Sequence, residues 1–138
     1  MLSPQLTFNR YSGITTKIKK MKEFVLIFRN SNNPDFKPSP AQLQEVMTTW
    51  MNWMGGIAAQ NKLAQSGNRL SVTQAKTVKA NNVIIDGPYT ELKEFINGYI
   101  VVKTTDIDEA IALAKDCPII KIGGNVEVRA VVTPDDNS

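Results

Sequence analysis

The 138-residue chain contains no histidine and a single cysteine, Cys117. The first absence removes the commonest general base and the commonest metal ligand of proteins. Together they leave too few ligands for a zinc site and exclude an intramolecular disulfide. No apolar run approaches the ~20 residues that a membrane-spanning helix requires. No phosphate-binding glycine loop, nucleophile elbow or metal-ligand cluster stands out. Neither a metal nor an organic cofactor is expected, and any chemistry must come from carboxylate, phenol, amine and guanidinium groups.

The net charge of +3 is unevenly spread. Residues 1–20 carry Arg10, Lys17, Lys19 and Lys20 and no acid, whereas all 13 acids and the other 12 of the 16 bases lie from Met21 onward. The remainder is nearly neutral, with bases scattered among acids and no stripe suited to nucleic acid. Residues 1–20 lack the apolar core of a secretory signal. They read as a flexible extension ahead of a natural start at Met21, with one domain over 21–133 and a polar tail over 134–138. A cytoplasmic location without nucleic-acid or membrane partners is the expectation.

Glu23 to Arg29 is a β-favouring run, apolar on both faces: Phe24, Leu26 and Phe28 on one, Val25 and Ile27 on the other. That pattern predicts a central strand. Ser39-Pro40 with Gln42 predicts a capping box. Leu43, Met47, Trp50, Met54 and Ile57 then predict one buried stripe of a helix reaching about residue 65, stopped by Ser66-Gly67-Asn68. Gly55-Gly56 within it suggests close packing on a sheet or partner, or room for a ligand. Leu70–Val78 reads as a strand, Asn81-Asn82 as a turn, and Val83–Ile85 as a strand that delivers Asp86 to the Gly87-Pro88 break. A strand over Ile96–Lys103 carries Gly98 as a bulge or close approach. Thr105 is expected to cap a second helix with Ile107, Ala110, Ile111 and Ala114 buried, ended by Cys117-Pro118. Val126–Val132 alternates as a final strand. This order predicts an α+β, ferredoxin-like sandwich with helices on one face. The bare face, with Phe24, Phe28 and Val101 as its expected apolar residues, is then most simply covered by a second copy.

Asp86-Gly87-Pro88-Tyr89 resembles the motif of the YCII-related, or DGPF, family, with Tyr in place of Phe. The ordered set that follows is similar as well: Glu91, Lys93 and Glu94, then Gly98-Tyr99, Asp106–Ala110, Cys117-Pro118, Gly124 and Val126-Glu127-Val128-Arg129. The resemblance spans residues 21–133. It implies a homodimer of the dimeric α/β barrel type. A His–Asp pair suspected in related proteins cannot be carried over, because this chain has no histidine. The family's association with alternative sigma factors implies a regulatory role as the alternative.

Asp86 is the candidate catalytic carboxylate. A group delivered by an apolar strand could sit partly dry and take a proton; equally, an Asp before Gly-Pro can simply hold a turn. Tyr89, Arg129, Lys93 and Trp53 are the candidate ligand-binding residues. Each has a plainer reading: core aromatic for Tyr89 and Trp53, cross-sheet ion pair for Arg129, solvated loop for Lys93. Two functions remain open. One is a small-molecule binding protein or cofactor-free enzyme; the other is a regulatory interaction module that contacts a partner such as a sigma factor.

Overall fold

The computed structural model describes residues 20–31, 37–87 and 94–135. The extension read over 1–20 therefore lies almost wholly outside the described residues, as do the 32–36 loop, Pro88 to Lys93 and the last three residues. The elements are β1 (Lys22–Ser31), α1 (Pro40–Ala59), β2 (Leu63–Arg69), β3 (Lys76–Lys79), β4 (Val83–Asp86), β5 (Glu94–Thr104), α2 (Ile107–Ala114), α3 (Pro118–Lys121) and β6 (Asn125–Ala130). Four strands form one antiparallel sheet in the order β2-β5-β1-β6, and β3 and β4 form a separate two-stranded ribbon. The architecture is α+β and compatible with the ferredoxin-like arrangement expected. Among the described residues no helix is long and apolar enough to cross a membrane.

Strand β1 pairs on both sides, with β5 and β6. Its alternation sends Phe24, Leu26 and Phe28 under the helices, where Ile100, Val102, Ile57, Ala110, Ala114, Cys117 and Ile119 complete the core. Phe24 and Phe28 therefore belong to the covered face and not to the bare one; Val101 alone of the three expected residues lies opposite. In antiparallel pairs, directly opposed residues share a face, so the row Phe24–Val102 cannot also serve the face of Val25–Val101.

The capping box forms as expected: Gln42 N–H donates to Ser39 Oγ at 3.1 Å and Ser39 N–H to Gln42 Oε1 at 2.8 Å. The end of α1 differs. Asn61 takes a left-handed φ of 58°, while Asn61 N–H and Lys62 N–H return to the carbonyls of Ala58 and Ile57. This is a Schellman closure with Asn in the position Gly usually takes, so Ser66-Gly67-Asn68 falls inside β2. The strand expected from Leu70 is confined to Lys76–Lys79, because Leu63–Arg69 already fills the sheet edge. Leu43 and Met47 are exposed, Trp50 and Met54 half-buried, and only Ile57 of the α1 stripe is buried. Gly55 and Gly56 are exposed, and an added Cβ at either would meet nothing within 4 Å.

Asp106, not Thr105, caps α2, accepting from Glu109 N–H at 2.9 Å; the Thr105 hydroxyl donates to the Glu109 carboxylate instead. The buried line of α2 runs through Ala110, Leu113 and Ala114, leaving Ile107 and Ile111 largely exposed. Cys117-Pro118 opens α3 and does not close α2, since Pro has no N–H to lose at a first helical position. Strand β6 ends at Ala130, so Val132 lies beyond it and is exposed.

Asn81 and Asn82 adopt the positive φ expected of the turn. Gly98 is the expected close approach. The β1–β5 register shifts beside it, and a Cβ there would sit 2.7 Å from the Asn68 carbonyl oxygen. Gly98→Ala should therefore cost about 1–3 kcal/mol by forcing β2 off β5. A lower denaturation midpoint checks this, and an unchanged midpoint would contradict the packing described.

Candidate functional site

The face of the sheet away from the helices carries two rows read from the register. One runs Tyr99–Ile27–Glu127 and the other Val101–Val25–Arg129. The centre is apolar and both ends are polar. At the β2 side, Asn68 Nδ2 donates to the Tyr99 hydroxyl at 3.1 Å. At the β6 side, the half-buried Arg29 guanidinium donates to Glu127 Oε1. Arg129 Nε lies 3.7 Å from Glu127 Oε2, and its side chain is 70% exposed. Glu127 is thus shared by two guanidiniums, one of them already committed to it. That leaves Arg129 with donors free to turn toward a carboxylate or phosphate, for which its planar fork is suited.

Asp86 ends β4 as expected, but in different surroundings. The ribbon stands apart from the main sheet, and Val83 and Ile84 are exposed. Within one chain the Asp86 side chain is 88% exposed and pairs with Lys76. Among the described residues β4 pairs only with β3, and the partly dry setting read from the sequence does not form there. The turn does not depend on the Asp86 carboxylate for its next donor either: Gly87 N–H goes to Ala75 O at 2.7 Å, and Thr77 Oγ1 donates to Gly87 O at 3.0 Å.

Trp53 is half-buried in an aromatic triad, its ring 5.9 Å from Phe28 and 5.6 Å from Trp50 in edge-on contacts. Its indole N–H donates to Leu113 O at 3.1 Å, which ties α1 to α2. Tyr89 and Lys93 lie outside the described residues. Asp86 and Arg129 are not in contact; each has its own ion partner within the chain. A cleft of about 210 Å³ lies where β1 begins and β6 ends, between Lys22, Glu23, Val131 and Asp135. None of Asp86, Trp53 and Arg129 lines it.

Arg29, Glu127 and the Tyr99–Asn68 pair were missing from the candidate residues. The parity of Val25, Ile27 and Arg29 was visible, but the register that sets Glu127 against them is a long-range pairing that a single sequence does not display.

With fold and site described, the comparison with known families is direct. The YCII-related domain matches residues 23–134, and the chain belongs to that family. No curated protein matches it.

Cys117 takes no part in this face. It is buried, and burial pushes its thiol up from 9.0 to about 11, opposed only by a backbone hydrogen bond at Ile119. The unfolded thiol loses its proton first, so this group's contribution is complete below pH 9 and is lost as pH rises toward 11. Native protein at pH 7 should leave Cys117 unreacted with a thiol reagent, and denaturant should release one equivalent. Rapid labelling of the native chain would contradict the burial.

Proposed function

We propose that the chain is a cytoplasmic homodimer of the dimeric α/β barrel type that binds a small anionic molecule between two sheets, without metal or organic cofactor. The observation that carries this reading is the sheet face away from the helices, where Val25 and Ile27 stay partly exposed beside the buried Val101 and the band ends at Arg29, Glu127 and Arg129. Stacking two such faces would bury the apolar centre and leave the charged ends lining an enclosed space. There the low dielectric would strengthen a guanidinium–anion pair. Arg129 is the proposed anion clamp.

Asp86 is the proposed proton acceptor, with Tyr89, Lys93 and Trp53 as further ligand contacts. Because Asp86 and Arg129 do not meet within one chain, the reading needs the second copy's ribbon to bring its Asp86 to Arg129. Such a site has one half from each chain.

A second reading, a regulatory interaction module acting with a sigma factor, has one observation in its favour. Leu43, Val46, Met47 and Met51 are exposed apolar side chains on the one helix α1, the kind of grouping that marks interaction sites.

A thermal-shift screen of carboxylate and phosphate metabolites tests the first reading, since a ligand of the native state raises the melting temperature. Arg129→Gln should weaken a hit by the about 1.5–3 kcal/mol of a charged hydrogen bond, roughly tenfold or more. Asp86→Asn should abolish turnover or binding at little cost in stability. Mixing the two variants should restore part of the response, because a mixed dimer contains one intact site. A ligand response that survives Arg129→Gln, or that mixing fails to restore, would contradict the shared site.

A further inference from the structure

Helix α1 has one ionisable side chain in its 20 residues, Glu45. An amphipathic surface helix ordinarily sets an apolar stripe against a charged face. Here Trp50, Trp53, Met54 and Ile57 pack on the core. A second row leads away from it at steps of four: Leu43, Met47, Met51, Gly55 and Ala59. Every member is exposed, Met51 to 68%. The row is also graded, with large side chains in the first half of the helix and small ones in the second. Rows of this spacing are the ridges along which helices pack on each other.

Among the described residues, packing supplies no reason for Gly55. Space in front of it is open, and its backbone is helical. A mid-helix glycine is unfavourable, and an approaching group accounts for it better than anything among the described residues.

We propose that this row is a contact between two copies of the chain, with the two α1 helices antiparallel about a two-fold axis at Met51. A two-fold contact must be self-complementary, and this row is. Met51 meets the second copy's Met51, Met47 falls on the second copy's Gly55, and Leu43 lies toward the second copy's Ala59. Glu45 is two residues from both Leu43 and Met47, which places it off the ridge. No like charges are therefore brought together, and neither face has ions to desolvate. The contact is distinct from stacking of the open sheet faces, which would leave both α1 helices on the outside. One five-residue ridge also covers well under the roughly 800 Å² per partner of a standard interface, so it forms as concentration rises.

Met51→Cys in the full chain reads the axis directly, because Cys117 is buried and silent. Under mild oxidation it should give a disulfide-linked pair at least about tenfold faster than Thr49→Cys, through the raised effective concentration of facing thiols. Thr49 is an exposed position on another side of the same helix. Adding Gly55→Leu to Met51→Cys fills the space assigned to the second copy's Met47. Cross-linking should fall to the control rate while the melting temperature holds or rises, since Leu is the better helix former. A Met51→Cys rate no greater than the control overturns the proposal and leaves the row to a different protein. A fast rate that Gly55→Leu does not slow overturns it too. Neither outcome bears on the sheet-face dimer.

Discussion

Everything in this structure hangs on β1 being paired along both edges. With β5 on one side and β6 on the other over Phe24–Arg29, the middle of the strand is paired along both edges, and both rows of its side chains are apolar there. The Phe24–Leu26–Phe28 row meets the aromatic pair of α1 and the alanines of α2. Each such side chain contributes about 1.5–3 kcal/mol on burial. The opposite row, Val25 and Ile27, has the same need for cover but receives no helix. The sheet is thereby built with one finished face and one unfinished face, and the charged residues of β6 sit at the margin of the unfinished one.

That asymmetry explains why the candidate residues fall in two groups. Trp53 is absorbed by the finished side, where its indole bridges two helices. Arg129 stands on the unfinished side, poised beside a carboxylate that Arg29 already holds. Asp86 is carried away from both on a ribbon whose isolated two-stranded pairing has little stability of its own. Membership of the YCII-related family fixes the class of protein but assigns no role to Asp86. The proposed shared site would bring Asp86 of one chain to Arg129 of the other.

Local chemistry made much of this legible in advance. The Ser39–Gln42 box, the Asn81-Asn82 turn, Gly98 and the division of β1 into two apolar rows all express short-range rules and form as expected, whereas which row the helices cover was assigned the wrong way round for Phe24 and Phe28. Errors arose where two local signals competed or where pairing was long-range. Asn61 closed α1 ahead of the more conspicuous Gly67. Asp106 outbid its neighbour Thr105 for the cap. Leu63–Arg69, with no β-branched residue, became a strand because β5 offered it an edge. The candidate site was half legible for the same reason. Asp86 and Arg129 could be placed on strand ends and faces, but the ion pairs that surround them depend on register.

The account rests on a second copy covering the open sheet face, and mass in solution measures that directly. Sedimentation equilibrium at low micromolar concentration should give twice the chain mass. Val25→Asp, which sets a charge at the centre of the face, should give the chain mass with an unchanged circular dichroism spectrum. A monomeric wild type, or a Val25→Asp variant that still sediments as a dimer, would contradict the account.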